Sequence, residues 1–292
     1  MKTFDKTWTV IDIIRWGTEY FQNKQIDSPR LTIELLLCEV LNCERISLYT
    51  NFEKPLKDEE LQKLKEFIKR RANREPLQFI LGKTKFFNTE LKINNSAIVP
   101  RPETELMVSI ADEIIQQNID KIKDVLDIGT GSGCIAISLA KKYPNINFTA
   151  IDINPNSLQL AKENAIYNDV ENSMNFLNLD ILTNVPDEKY DLVISNPPYI
   201  SKQEYEQLEP EILNYEPKEA LTDNSDGLTF YRRFSDIFGV IMTPNAFFLL
   251  EIAYNQFEDV SKIFKEKGFE INYVQDWSGI KRIIIGQKQN RY

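Results

Sequence analysis

The segment that decides the fold is Asp127-Ile128-Gly129-Thr130-Gly131-Ser132-Gly133, which links an apolar strand-like run to an apolar helix-like run. Glycines allow a tight turn and let a ligand lie against bare backbone. A strand that turns into a helix through such a loop predicts a ligand site at the carboxyl end of that strand. We therefore predict that Gly129, Thr130, Gly131, Ser132 and Gly133 contact a cofactor.

A dinucleotide site is one interpretation of this loop, but its GxGxxG spacing places the third glycine where Cys134 stands. The next strand ends at Asp152, whose carboxylate can accept both hydroxyls of an adenosine ribose. That arrangement serves NAD and S-adenosylmethionine equally, so Asp152 does not separate them. A tight strand-to-helix turn without a ligand is the third interpretation.

Strand and helix patterns alternate on both sides of the loop from about residue 98 onward. Repeated strand–helix units predict an α/β fold with a mostly parallel sheet and helices on both faces. The predicted strands are 124–128, 148–151, 175–179, 191–195, 246–250, 271–274 and 282–286. Asp180 closes the third strand, where such a residue commonly faces the adenine amino group in methyltransferases. A helix cap or turn is the alternative role for Asp180.

The tetrapeptide Asn196-Pro197-Pro198-Tyr199 ends the fourth strand, and it is the most specific signal in the chain. Two prolines restrict the backbone just beyond the strand. The Asn196 side-chain carbonyl and the Pro197 backbone carbonyl can together accept both hydrogens of one NH2 group. Tyr199 can stack on a planar group beside it. We predict that these four residues bind and orient a planar amino nitrogen for methylation, and that Asn196 also contacts the cofactor.

This chemistry requires no strong base. The lone pair of an amide or ring nitrogen is delocalised, so the nitrogen needs orientation, and orientation is worth roughly 7–11 kcal/mol. Its proton becomes acidic only after methyl transfer. The sequence contains no histidine, which excludes imidazole base catalysis and histidine metal ligation. The three cysteines are an odd number and include no CxxC pair, so we expect neither a disulfide framework nor a zinc site.

The spacing of apolar residues in the first 75 residues predicts helices. Ser28-Pro29 predicts a serine cap followed by proline at the first helical position. A third long helix ends in a basic segment with Lys69, Arg70, Arg71 and Arg74. This segment is interpreted either as a solvated basic face or as a partner-binding patch. We expect domains at 1–78 and 98–292, joined by a β-hairpin linker at 79–97.

The charge of −9 is unevenly distributed along the 292 residues. Residues 1–85 carry 16 Lys and Arg against 13 Asp and Glu, whereas the rest carries 19 against 31. An acidic second half is a poor match to long nucleic acid, whose binding depends on neutralised phosphates. No apolar run approaches the roughly 18 residues of a membrane span. We expect a cytoplasmic monomer that binds neither membrane nor long nucleic acid.

Nearly the whole chain resembles the protein-(glutamine-N5) methyltransferases that modify peptide chain release factors, the PrmC/HemK family. The segments that carry the resemblance are Val99–Glu105, Asp127–Gly133, Asp152, Asn196–Tyr199, Glu216-Pro217, Ala220-Leu221, Asp226–Leu228, Leu250-Glu251, Asp276, Gly279 and Arg282. The resemblance implies a Rossmann-like class I S-adenosylmethionine-dependent methyltransferase domain with a small all-helical N-terminal domain that recognises the substrate.

The resemblance further implies that Asn196–Tyr199 hold the glutamine of a Gly-Gly-Gln loop on the release factor, and that the glycine loop, Asp152 and Asn196 contact S-adenosylmethionine. Relatives often carry an aromatic residue after Asp180 that would cover the adenine, whereas this chain has Ile181, which can pack against the ring without stacking. Arg101, Glu103 and Glu105 either order a loop over the site or begin a helix. The alternatives are a ribosomal-protein glutamine or an exocyclic amino group of a nucleic-acid base as substrate, and a scaffold without catalysis.

Overall fold

A computed structural model describes residues 7–288, which form two compact units. The helical unit comprises residues up to Gly82 together with Pro210–Tyr215, and the sheet unit comprises Lys83–Glu209 with the residues from Glu216 onward. The helices are Val10–Asn23 (α1), Pro29–Leu41 (α2), Arg45–Thr50 (α3), Asp58–Ala72 (α4), Leu77–Leu81 (α5), Pro102–Gln117 (α6), Cys134–Ala140 (α7), Pro155–Tyr167 (α8), Lys202–Tyr205 (α9), Pro210–Tyr215 (α10), Thr229–Ile241 (α11) and Phe257–Glu266 (α12). The strands are Lys83–Phe86 (β1), Thr89–Lys92 (β2), Asp124–Ile128 (β3), Asn147–Asp152 (β4), Met174–Asn178 (β5), Tyr190–Ser195 (β6), Met242–Glu251 (β7), Phe269–Gln275 (β8) and Lys281–Lys288 (β9).

The helical unit packs around the apolar faces of α1, α2 and α4. Gly17 lets α1 approach α2, because a Cβ there would lie 2.4 Å from the Ile33 Cγ1 atom. The predicted serine cap is wrong. Ser28 adopts left-handed backbone angles (φ 48°) and its side chain makes no capping hydrogen bond. A capping side chain needs extended backbone to reach the first free amides, so here Pro29 alone marks the start of α2.

The basic end of α4 is not a solvated face throughout, which corrects that prediction. Arg71 is buried; its Nη1 donates to the Glu75 carbonyl and pairs with Glu211 Oε2, both at 2.9 Å. Arg70 pairs with Glu75, and Arg74 donates to backbone carbonyls of the same unit. Glu211 lies in α10, far away in sequence, so local periodicity could not reveal that these arginines have partners.

The sheet unit contains a seven-stranded sheet in the order β5-β4-β3-β6-β7-β9-β8. The first five strands are parallel, and β9 lies antiparallel between β7 and β8. Two apolar clusters cover its two faces. The chain runs outward from β3 to β5 and then returns to place β6 on the other side of β3, which creates a topological switch point between β3 and β6. The predicted α/β class with a small helical N-terminal domain is confirmed.

Within the sheet unit, buried Asn164 of α8 anchors the hairpin of β1 and β2. The Asn164 side chain accepts from the Lys92 amide at 2.7 Å and donates to the Lys92 carbonyl at 3.1 Å and to the Ser132 carbonyl at 2.9 Å. One side chain therefore connects the hairpin, α8 and the glycine loop. Among residues 7–288, no helix combines the length and apolar character needed to cross a bilayer.

Candidate active site

The carboxyl ends of β3 and β6 meet at the switch point. Ile128 lies opposite Ser195 in the parallel register, and the Ser195 hydroxyl donates to the Ile128 carbonyl at 2.7 Å. The glycine loop that follows β3 and the tetrapeptide that follows β6 consequently begin side by side. A cavity of about 270 Å³ opens there and is lined by residues from both segments.

Backbone hydrogen bonds shape the glycine loop. The amides of Gly129 and Thr130 both donate to the Ile151 carbonyl, at 2.9 and 3.0 Å. Gly129 has φ 73°, and a Cβ there would meet no atom within 4 Å, so its bare backbone faces open space. Gly133 has φ 83°, but a Cβ there would lie 2.6 Å from Ile137 Cδ1. One glycine thus leaves room for a ligand, and the other allows α7 to pack.

Two of the five predicted loop contacts, Gly129 and Gly131, line the cavity. Thr130 and Ser132 are buried behind it. The Thr130 hydroxyl donates to Asp127 Oδ2 at 2.7 Å. Burial raises the pKa of Asp127 to about 7, although this hydrogen bond opposes the rise. These inner residues hold the loop in shape from beneath.

Asp152 lies at the end of β4 and lines the same cavity. Its Oδ2 atom accepts from the Gly131 amide and its Oδ1 atom from the Asn154 amide, both at 2.9 Å. Burial raises the pKa of the Asp152 carboxyl, and the two backbone hydrogen bonds limit that rise. The carboxylate is therefore held in one orientation beside the bare backbone of the loop.

Asp180 and Ile181 line the cavity beyond the end of β5. Asp180 also forms the predicted turn, because its carboxylate accepts from the Leu182 amide and the Thr183 hydroxyl, both at 2.9 Å. Ile181 is buried, and its carbonyl accepts from Arg233 Nε at 2.8 Å. An aliphatic wall, fixed through its backbone, covers this end of the cavity.

The tetrapeptide divides between two environments. Asn196, Pro197 and Pro198 line the cavity, whereas Tyr199 does not. The Tyr199 hydroxyl instead donates to Glu251 Oε1 at 3.4 Å. Burial, followed by the nearby charge of Glu251, raises the pKa of Tyr199 well above its ordinary value. Tyr199 therefore acts as a neutral hydrogen-bond donor that anchors the end of the tetrapeptide to Glu251.

Asn196 is held through its amide nitrogen. Its Nδ2 atom donates to the Thr104 hydroxyl at 3.2 Å, and that hydroxyl donates to Glu251 Oε2 at 2.8 Å. Both Thr104 and Glu251 are buried. Burial raises the pKa of Glu251 to about 7, against the effect of its hydrogen bonds from Thr104 and Tyr199. The residue pattern alone had not indicated a role for either side chain; both lie in segments noted for the family resemblance.

Gln256 fixes the backbone just after the prolines. Its side-chain amide donates to the carbonyls of Tyr199 at 2.9 Å and Gly227 at 3.2 Å. Gly227 passes so close that a Cβ would lie 2.3 Å from the Tyr199 carbonyl oxygen. Asp223 accepts from the Gly227 and Thr229 amides. The sequence had suggested no role for Gln256, since a single glutamine in a loop carries no pattern.

The start of α6 contains Arg101, Glu103 and Glu105, in agreement with the interpretation that these residues begin a helix. Arg101 Nη2 also donates to both carboxylate oxygens of buried Glu216, at 2.7 and 2.8 Å. Glu105 accepts from the Phe87 amide at 2.9 Å in the β1–β2 hairpin. The segment thus begins a helix and also ties loops of the sheet unit together.

Comparison with known proteins adds two family matches. The model of the PrmC N-terminal domain matches residues 12–82, and that of the methyltransferase small domain matches residues 104–234. A release factor glutamine methyltransferase of Fusobacterium nucleatum is 38% identical, covering 95% of this chain and 78% of its own length.

A release factor glutamine methyltransferase of Geobacter sulfurreducens is 36% identical, covering 96% of this chain and 97% of its own length. The crystal structure of a methyltransferase from Pyrococcus furiosus superposes with a TM-score of 0.50 at 16% identity, covering 70% of this chain and 91% of that one. This last likeness concerns the fold alone.

Proposed function

The chain belongs to the release factor glutamine methyltransferase family, and on that premise we propose that it methylates the side-chain amide nitrogen of the glutamine in the Gly-Gly-Gln loop of release factors, with S-adenosylmethionine as methyl donor. One observation carries the proposal: Asn196 and Pro197 line the same cavity as the glycine loop and Asp152. A methyl donor and an amide acceptor can therefore meet in one place.

The residues around the cavity suit S-adenosylmethionine. The Asp152 carboxylate is oriented to accept the ribose hydroxyls, and the open backbone at Gly129 leaves space for the chain of the methionine part. Asp180 and buried Ile181 offer a polar and an apolar contact for adenine. Thr130, Ser132 and Gly133 support the loop from behind. When bound, the cofactor supplies a methyl group attached to a sulfonium sulfur. The thioether that remains after methyl transfer is a good leaving group.

The tetrapeptide supplies orientation. The Asn196 Oδ1 atom and the Pro197 carbonyl accept the two N–H bonds of the substrate amide, which directs the nitrogen lone pair toward the methyl group. Pro197 and Pro198 keep these acceptors in place because proline restricts the backbone. The hydrogen bonds of the Tyr199 hydroxyl to Glu251 and of Gln256 to the Tyr199 carbonyl anchor the end of the segment. The nitrogen releases its extra proton to water after transfer, so no histidine is needed.

We assign substrate recognition to the helical domain, 1–78, with 79–97 as the connecting hairpin segment and 98–292 as the methyltransferase domain. The protein acts on release factors in the cytoplasm as a monomer. The acidic second half of the sequence supports a protein substrate over long nucleic acid.

A methyl-transfer assay with radiolabelled S-adenosylmethionine tests the function. Release factors, ribosomal protein and nucleic acid are assayed side by side, and mass spectrometry locates the methylated residue. We expect label on the Gly-Gly-Gln glutamine and none on a release factor whose glutamine is replaced by alanine. Label mainly on ribosomal protein or on a base would replace this proposal with one of the alternatives.

Asn196→Ala tests the site. We expect methyl transfer to fall by at least about a hundredfold, because an orienting contact is lost at the reacting nitrogen. Cofactor affinity, measured by calorimetry, should change far less. Asn272→Ala, an exposed asparagine of the edge strand β8 that does not line the cavity, is the matched control. Normal transfer by Asn196→Ala would refute the assigned role.

A further inference from the structure

We infer that Thr104 and Glu251 are positioning residues that set which end of the Asn196 carboxamide faces the substrate. The inference rests on the proposed function, since it concerns how Asn196 receives the glutamine amide. Neither residue lines the cavity, so both act through Asn196 and contact no substrate.

A carboxamide has two ends of nearly equal size and opposite hydrogen-bonding character. Its oxygen accepts and its NH2 group donates. The substrate amide also presents an NH2 group, so transfer requires the Asn196 oxygen to face it. A half-turn of the Asn196 carboxamide would place two NH2 groups against each other. Something other than shape must therefore select the orientation.

The Thr104 hydroxyl makes that selection because it has only one proton. The proton is directed to Glu251 Oε2 at 2.8 Å, so toward Asn196 the hydroxyl oxygen can only accept. Asn196 Nδ2 donates to it at 3.2 Å. The Asn196 nitrogen is thereby engaged on the protein side, and the oxygen remains for the substrate.

Glu251 is fixed as the acceptor that starts this chain of hydrogen bonds. It is the last residue of β7, one position beyond Leu250, which lies opposite Ser195 in the sheet register. Its backbone carbonyl accepts from the Tyr231 hydroxyl at 2.7 Å, and its second carboxylate oxygen accepts from Tyr199. The carboxylate cannot turn away without losing its hydrogen bonds from Thr104 and Tyr199.

The position of Glu251 is unfavourable for stability alone. A buried carboxylate is costly unless it is paired, yet no Lys or Arg forms an ion pair with Glu251 among residues 7–288. A neutral or apolar residue would cost the fold less. The retained carboxylate makes sense as a fixed acceptor that determines the direction of the Thr104 hydroxyl.

Thr104→Val tests the inference because valine keeps the shape and removes the hydroxyl. We expect kcat for release factor methylation to fall about tenfold to a hundredfold, the range typical of a lost orienting interaction. The KM for release factor and the Kd for S-adenosylmethionine should stay within about threefold, since neither ligand touches Thr104. Thr104→Ser restores the hydroxyl and should recover kcat to within about threefold.

Thr149→Val, a buried threonine of β4, is the control for placing valine inside the sheet unit, and its kcat should match the wild type. Wild-type kcat in Thr104→Val would overturn the inference, as would a Thr104→Ser variant as slow as Thr104→Val. Asn196→Ala in the same assay separates the proposed role of Asn196 from the positioning role of Thr104 and Glu251. If Asn196→Ala is active, the proposed role of Asn196 fails; if it is inactive while Thr104→Val is normal, only the positioning role fails.

Discussion

Glu34 in the helical unit and Glu251 in the sheet unit are both buried, but their surroundings are opposite. Glu34 accepts from Arg30 Nε at 2.8 Å, Arg45 Nε at 2.7 Å and the Tyr49 hydroxyl at 2.7 Å. Burial by itself raises the pKa of Glu34, but these three hydrogen bonds together lower it below its ordinary value. The Glu34 carboxylate is therefore a stable anion that joins α2 to α3.

Among residues 7–288, the Glu251 carboxylate accepts hydrogen bonds only from hydroxyl groups, those of Thr104 and Tyr199. Burial dominates and raises the pKa of Glu251 to about 7. The charge of Arg282 favours the ionised form, although Arg282 pairs directly with Asp276. The comparison indicates that Glu34 contributes to stability, whereas Glu251 reduces it, as is common for residues retained for function.

The largest effect in this comparison should come from Glu34→Gln. Glutamine keeps the shape but removes the charge, and its NH2 group would face a second donor. We expect the helical unit to lose about 3 kcal/mol of unfolding free energy at pH 7, because charge-assisted hydrogen bonds are lost and a buried donor is left unpaired. The loss should shrink as the pH falls from 4.5, the ordinary pKa of the carboxyl, through the lower pKa of Glu34 in the folded state.

Tryptophan fluorescence in urea measures this loss. Trp8 and Trp16 lie in the helical unit, and fully exposed Trp277 can be replaced by phenylalanine to remove its signal. Glu19→Gln on the exposed side of α1 is the control and should change little. Equal stability of Glu34→Gln and the control would show that the arginine pairs do not stabilise the unit.

Glu251→Gln should raise the free energy of unfolding, whereas Glu34→Gln lowers it. The folded-state pKa of Glu251, about 7, lies above its ordinary value of 4.5. Between these values the folded state binds more protons than the unfolded state, so stability falls as pH rises from about 4.5 to 7. Glutamine removes this loss, and we expect a gain of about 2 kcal/mol at pH 8 and almost none at pH 5.

Hydrogen exchange of β7 peptides at pH 5 and pH 8, each compared with wild type at the same pH, measures the gain. Glu266→Gln, at the exposed end of α12, should show no such pH-dependent difference. A loss of protection at pH 8 would place Glu251 with Glu34 among the stabilising glutamates.

The same comparison explains how much the sequence could predict. Local patterns predicted the glycine loop, Asp152 and the tetrapeptide, because each directly follows a strand and parallel strands end at one edge of the sheet. The α/β class followed from the same alternation. These predictions depend on neighbours in sequence, and helix and strand periodicity reports them well.

Contacts between distant segments could not be predicted in this way. Thr104 lies 92 residues from Asn196 and 147 from Glu251. Their meeting depends on β7 pairing with β6 and on where α6 begins. The pairing of Glu211 with Arg71 could not be predicted for the same reason, since only the folded helical unit brings the two side chains together. No single segment encodes such a pair, although the resemblance had identified Leu250-Glu251 as significant.

Activity should depend on the ionisation of Glu251. Protonation turns one carboxylate oxygen into a donor, and a proton on Oε2 would donate to the Thr104 hydroxyl and turn the Thr104 proton toward Asn196. With a pKa of about 7, the ionised fraction and therefore kcat should rise about tenfold between pH 6 and pH 8. Glu251→Gln should flatten this rise, because glutamine does not titrate. Charged and titratable groups that interact with Glu251 are Tyr199, Tyr231, Cys134, Glu103 and Arg282.

Steady-state kinetics at saturating cofactor and substrate measure the profile. A wild-type rise that persists unchanged in Glu251→Gln would mean that another group controls it. The variant also separates the two properties of Glu251, since it should be more stable than wild type while losing pH control.

The smallest effect should come from Arg282. Its charge lowers the pKa of Glu251, so Arg282→Gln should move the rise in kcat to higher pH and reduce activity at pH 7 by roughly twofold. Arg282→Lys keeps the charge and should behave as wild type. In the Glu251→Gln background Arg282→Gln should have no further effect, because the group on which the charge acts is absent. If Arg282→Gln slowed transfer equally in both backgrounds, Arg282 would act by supporting the β8–β9 turn through Asp276, and the difference between the two glutamates would lie in hydrogen bonding alone.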